Sequence, residues 1–282
     1  KGYRALRGGG EQKPISVPYS ETALCPVNVH WHLGAEHLSV GQYDDKGKGP
    51  KDGGNDLSYE GTSRRQLDGR RLEQSKKRLG HQCMYYDASD QRFNDTLYKW
   101  ETCEKMLVGE TYEIHWPHSA AGACGTKWQY QTPFYDGVFC RDDVITVVPL
   151  NTYENIGVQG QIFTVINDDR DEYSFDNLIA GMIVDANKQN GMGIDIAYYT
   201  GSTTGTTRNN VMCSRYTPIT WQVDRKCHLV SAKSFDKLCK DMMAISTEGG
   251  GDDMHDDLHP HGARETVLDE LAANNQFRRS RD

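Results

Sequence analysis

The chain has 282 residues, 37% of them hydrophobic, and a formal net charge of −8 at pH 7. That length admits one large domain or two modest ones with a buried core. The acidic balance argues against a nucleic-acid partner, because neutralising phosphates needs a basic face, and no apolar run approaches the roughly 20 residues of a membrane span.

Residues 1–24, with Gly8-Gly9-Gly10, Pro14 and Pro18, read as an N-terminal arm lying over the surface. Residues 25–267 are expected to form the main domain and 268–282 a C-terminal tail. In Val27–His32 apolar residues alternate with Asn28, His30 and His32, the pattern of a β-strand. Such a strand turns both histidines to one face, about 7 Å apart. Residues 41–54 (GQYDDKGKGPKDGG) are polar and glycine-rich and read as an exposed loop. Arg64, Arg65, Arg70, Arg71, Lys76, Lys77 and Arg78 form a basic cluster read as a solvated face.

The aromatics between Cys83 and Cys103 suggest strands or packed loops. Residues 110–116 (ETYEIHW) alternate: Thr111, Glu113 and His115 share one face, and Tyr112, Ile114 and Trp116 the buried other. Further strands are expected at 144–148, 156–165, 178–184, 194–199 and 219–223. Phe235, Leu238, Cys239, Met242 and Met243 recur at helical spacing behind Ser234 as N-cap. This predicts a mainly β fold with few helices.

The eight cysteines are even in number and none stands in a C-x-x-C spacing, which favours disulfides over thiolate ligands. Sequence proximity suggests Cys83 with Cys103, Cys124 with Cys140 and Cys227 with Cys239. Disulfides imply an oxidising compartment, extracellular, periplasmic or lumenal, and for a chain opening at Lys1 the expectation is that a targeting peptide has been removed.

His30 and His32 are two candidate ligands of a metal that needs three protein donors and one position for water. His115 is the best third, because Glu113, two residues earlier on the same face, can accept an imidazole N–H; His118 is the alternative. His255, His259 and His261, among Asp252, Asp253, Asp256 and Asp257, read by default as a solvated linker, with an accessory metal-binding tail as the sharper reading.

These residues carry a resemblance. Residues 30–37 (HWHLGAEH) resemble the H-x-H-x-G…E-H segment of alpha-class carbonic anhydrases, and residues 112–118 (YEIHWPH) resemble their ELHLVH strand, with Pro117 where that class usually has Val. The longer run LCPVNVHWHLGAEHLSVGQYD is closer still to the delta-class carbonic anhydrases of marine diatoms and algae. The resemblance implies a single domain around a large, mostly antiparallel, twisted sheet, alpha-carbonic-anhydrase-like, with zinc at the bottom of a cone-shaped cleft. It makes His30, His32 and His115 the ligands, Glu113 the carboxylate supporting them, and Glu36 the residue orienting a threonine hydroxyl. That threonine is Thr204, or else Thr206 or Thr207, in the run from Tyr199. Trp221 and Val158 are implied as walls of the substrate pocket, and Leu258–Arg264 is similar to a Q-P-L-x-G-R segment that would return the tail to the domain. Cys25 and Cys213 stand near the positions of a known disulfide.

The activity implied is zinc-dependent hydration of carbon dioxide to bicarbonate and a proton by a metal-bound hydroxide. The small molecule would be the substrate partner, with the oligomeric state left open. His37, His81 and His118 are candidate proton shuttles. Cobalt or cadmium could occupy a three-histidine site in place of zinc. A catalytically silent metal-binding scaffold and a zinc esterase are the alternatives.

Overall fold

The computed structural model describes residues 13–37, 41–42, 50, 80–120, 124–126, 129–130, 155–181, 192–201, 219–245 and 257–262. Seven strands join one sheet: β1 (Cys25–Pro26), β2 (His30–Leu33), β3 (Thr111–Ser119), β4 (Ile156–Ile166), β5 (Ile196–Gly201), β6 (Ile219–Ser231) and β7 (His261–Gly262). The order is β5-β6-β4-β3-β2-β7, with β1 pairing β3 off this path. Pairs β2–β7 and β4–β6 are parallel and the remaining four are antiparallel. Among the described residues the one α-helix, α1 (Ala232–Ile245), follows β6 directly. The mainly β, mostly antiparallel architecture is the one expected.

The centre of the sheet is covered on both faces, as the fully buried β3 and β4 show. Tyr112, Ile114, Trp116, Phe163 and Val165 point to one side, where Phe235, Leu238, Cys239 and Met242 of α1 complete the larger core. Phe235 meets Trp31 and Tyr112 edge-on or tilted, with ring centroids 5.6 and 5.9 Å apart. The opposite face carries Val27, Val158, Tyr199, Trp221 and Val223. Alternation along β3 therefore sorts the apolar residues to the helix side and Glu113 and His115 to the other.

The chain before β1 is tied to the sheet. Gln222 Nε2 donates to the carbonyls of Ile15 and Val17, and the buried Tyr19 donates to Thr220 O at 3.2 Å. Gly157 makes room for that ring, since a Cβ there would stand 2.5 Å from the Tyr19 hydroxyl oxygen. At the other end, Leu258 reaches the larger core and β7 pairs alongside β2, so the distal segment does return to the sheet.

Two expectations about local structure are corrected, at Leu178–Ala180 and at the start of α1, and the loop alternative is the one found between Cys83 and Cys103. Leu178–Ala180 is a 3-10 turn, not a strand, because Trp116 Nε1 takes the Leu178 carbonyl and Gly181 follows at φ +121. Helix α1 begins two residues before Ser234. Its cap is Ser231, whose hydroxyl accepts from Ser234 N at 3.1 Å, while the Ser234 hydroxyl accepts from Phe175 N at 2.7 Å. The segment from Cys83 to Cys103 holds loops and two 3-10 turns (Gln91–Phe93 and Asp95–Leu97).

Among the described residues the disulfides are Cys25–Cys124, Cys83–Cys227 and Cys103–Cys239. None of the expected pairs that include these cysteines forms. Cys227 lies with Cys83, Ala35 and Ile162 in a small cluster, whereas Cys239 sits on α1 in the larger core. Twelve residues apart in sequence, they belong to different parts of the core. Cys140 and Cys213 lie outside the described residues, as do the strand expected at 144–148 and the basic cluster of 64–78.

Candidate metal centre

The register of β2 against β3 builds the centre. His30 is opposite His115 and His32 is opposite Glu113 in the antiparallel ladder. Side chains directly opposite share a face, so a period-2 histidine pair on one strand meets a period-2 Glu-x-His pair on the next. Ring centroids are 5.2 Å apart for His30 and His32, 5.3 Å for His30 and His115, and 4.8 Å for His32 and His115. One ring nitrogen of each lies within 4.8 Å of the others.

Each ring is oriented by a partner. Asn28 Oδ1 is 3.0 Å from His30 Nδ1, Glu36 Oε1 is 3.5 Å from His32 Nδ1, and Glu113 Oε1 is 2.6 Å from His115 Nε2. With these nitrogens engaged, the candidate donor atoms for a metal are Nε2 of His30 and His32 and Nδ1 of His115. Support of this kind holds a ligand in the neutral tautomer with its lone pair aimed inward.

Glu113 is fully buried and serves more than His115. Its Oε1 also takes His37 Nδ1, and its Oε2 accepts the backbone N–H groups of Glu36 and His37. The turn that returns residues 36 and 37 passes through Gly34 at φ +74, packed so tightly on Gly80 that a Cβ would lie 2.7 Å from its backbone. His37 Nε2 in turn receives the Tyr199 hydroxyl. With neutral imidazoles every donor finds an acceptor: Tyr199 to His37, then His37 and His115 to the Glu113 carboxylate. Burial alone would push that carboxyl up, but its attraction to the His37 and His115 rings when these are protonated, together with the hydrogen bonds they donate, outweighs burial and holds it well below the usual carboxylate range. His37, Glu113 and His115 also converge closely enough to suggest a ligand set. The bonds that Glu113 makes to both rings instead make this trio a support for the first one.

The apolar wall is adjacent. Trp221 lies 5.4 Å from His115 and 5.2 Å from His37 between ring centroids and stacks on Tyr199 at an interplanar angle of 7°. Val158 is its register partner in the β4–β6 ladder. Both belong to the smaller apolar core, so a pocket over His115 would be dry on this side.

His37 and His118 are both buried. His37 is 1% exposed, with its ring nitrogens engaged by Glu113 and Tyr199. His118 cannot serve as the third ligand, because it stands an odd number of residues from His115 and so projects from the other face of β3. Its Nδ1 bonds Trp116 O at 2.7 Å, and burial lowers its pKa to about 4. The His81 backbone bridges to Ala35. Thr204, Thr206 and Thr207 lie outside the described residues, as does His255.

Sequence reasoning missed Asn28 and the part that Tyr199 plays, and it set His261 in a linker or accessory tail rather than beside the trio. Asn28 precedes His30 by two residues on the same face, a signal that was available. Tyr199 carried none, because its partner is 162 residues away. His261 arrives through β7, opposite His32. Its ring stacks on His30 with centroids 5.4 Å apart, and its Nε2 lies 2.6 Å from Asp257 Oδ1.

Three oriented imidazoles beside an apolar wall form a candidate metal centre, and a three-histidine set is of the kind that leaves a coordination position for a small molecule. The donor set fits a borderline divalent ion. Comparison with known families matches residues 21–234, well over half the chain, to the Delta carbonic anhydrase family, and the chain belongs to that family. No curated protein and no solved structure matches it. A family of carbonic anhydrases acts on a small-molecule substrate, and among the described residues no helix is long and apolar enough to cross a membrane.

Proposed function

We propose that this chain catalyses the reversible hydration of carbon dioxide at a zinc ion held by His30, His32 and His115. The observation that carries the reading is the facing of His30 and His32 across the β2–β3 ladder with His115 and Glu113. Zinc there supplies a Lewis acid that brings deprotonation of a water into the neutral range, as is general for carbonic anhydrases. Three neutral imidazoles leave the ion's positive charge intact for that task, and Glu113 keeps His115 in the donor tautomer. Trp221 and Val158 exclude water and offer carbon dioxide an apolar seat beside His115, so that the substrate is held close to the reacting position. Glu36, buried against His32, supports that ring; its place in the family motif gives it the further task of orienting a hydroxyl from Thr204 or Thr206. We place residues 25–267 in one catalytic domain, and the three disulfides fit an oxidising compartment.

Stopped-flow hydration of carbon dioxide by wild type and by His32→Ala tests this reading. The variant is expected to lose at least about a thousandfold in rate, the scale on which removing an essential catalytic group acts. Hydration at the wild-type rate in His32→Ala would contradict it. Hydrolysis of an activated ester without hydration would favour the esterase alternative, and bound metal with neither activity the scaffold.

A further inference from the structure

The helix side of the sheet holds a second cavity that the metal centre does not use. It has a volume of about 540 Å³ and lies between the segment around Tyr19, strand β1, the loop at Gln129–Tyr130 and the Gly181 turn. That volume falls within the range of small-molecule sites. The sheet separates it from the histidine trio, since His118 and Gln159 project from β3 and β4 to the face opposite His115 and Val158.

Its walls are uncharged: among the described residues lining it there is no carboxylate, lysine or arginine. Tyr19 and Tyr130 donate their hydroxyls to the carbonyls of Thr220 and Ile179, at 3.2 and 3.0 Å. Those bonds hold the two rings in place as flat walls, with Pro26 and Ile196 adding apolar surface. Neutral polar side chains line it as well, Gln159 and Gln222 bonded to each other among them, and His118 adds a ring nitrogen. It is 4% exposed, and its Nδ1 must carry the proton because it bonds a carbonyl, Trp116 O, at 2.7 Å. The lone pair therefore sits on Nε2. Among the described residues nothing hydrogen-bonds Nε2, which faces Gly181 on the cavity wall, where even a Cβ would lie 3.7 Å away. The Tyr19 ring stands edge to face with the His118 ring at 4.9 Å and holds it in that orientation. Water in the cavity can give this acceptor a donor, and a ligand that displaces the water has to bring one of its own to keep the bond.

We infer that this cavity binds a small, neutral, flat molecule carrying one hydrogen-bond donor, which it presents to His118 Nε2 between the rings of Tyr19 and Tyr130. A charged ligand would meet no counter-charge, and a ligand without a donor would leave the nitrogen unsatisfied. Burial, which lowers the His118 pKa to about 4, keeps the ring an acceptor at neutral pH.

Indole is a suitable probe, because it is neutral and flat, carries one N–H donor and offers no lone pair to a metal. Benzofuran has the same shape without the donor. Titration of the metal-loaded protein with each, followed through the histidine side-chain ¹⁵N resonances, should move His118 Nε2 saturably with indole and leave the metal-ligand histidines in place. Indole should bind about tenfold more tightly than benzofuran, the ratio that one buried hydrogen bond gives. His118→Phe should abolish that preference without changing carbon dioxide hydration. Equal affinities for the two probes in the wild-type protein would overturn the proposal, whether or not the variant folds. So would indole binding that leaves the His118 resonance unmoved.

Discussion

Glu113→Gln removes one charge and exchanges one acceptor oxygen for a donor, at a site where four donors converge. The carboxylate receives His115 Nε2 at 2.6 Å, His37 Nδ1, and the backbone N–H groups of Glu36 and His37. If the glutamine carbonyl keeps the two rings, its NH₂ faces two buried backbone donors. If it keeps the backbone, the NH₂ faces the rings. Either way two donors lose their acceptor, at roughly 1–3 kcal/mol each, so the fold should lose ~2–6 kcal/mol out of the 5–15 typical of a domain. The freed His115 ring can then turn or change tautomer, and loss of such a support typically weakens metal binding about 10–100-fold. Zinc affinity measured against a competing chelator, beside thermal unfolding of the metal-free protein, separates the two effects. A Glu113→Gln variant with wild-type zinc affinity would refute the claim that Glu113 sets the His115 donor.

Glu110 gives a pH-dependent test. Burial raises its pKa from 4.5 to about 7, against the lowering effect of its bond from Thr111 N. Its folded pKa thus lies above its unfolded one, and the native state holds the extra proton between those values. Stability is therefore highest below about pH 4.5 as far as this group is concerned, and falls as pH rises through 7. Glu110→Gln should match wild type near pH 4 and exceed it by up to ~3 kcal/mol at pH 8; denaturant midpoints that differ equally at both pH values would count against this. The Cys83–Cys227 bond spans 144 residues, so replacing both cysteines by serine should cost about 3–5 kcal/mol. A melting temperature unchanged in that double variant would show the bond to be dispensable.

Local alternation made much of the site legible. Residues 111–116 announce a strand with its polar residues on one side, and His-x-His announces another; the ladder that joins them puts the expected three histidines together. What could not be read are the links whose partners lie far apart in the chain. Tyr199 reaches His37 because β5 and β6 bring it there, and Cys83 meets Cys227 because the bond of Cys83 N to Thr111 on β3 and the pairing of β6 with β4 bring both to Ile162. His118 shows the opposite case. Only strand parity separates it from His115, and counting three residues along β3 already sends it to the other face. The histidine-rich segment near residue 260 read by composition as a linker, and only the pairing of β7 with β2 reveals His261 beside His30.

The most direct test of the account is the metal content of the purified protein together with its rate of carbon dioxide hydration before and after chelation. The account predicts one zinc ion per chain, loss of hydration when the ion is withdrawn, and recovery when zinc is returned. A fully chelated protein that hydrates carbon dioxide at the original rate would contradict it.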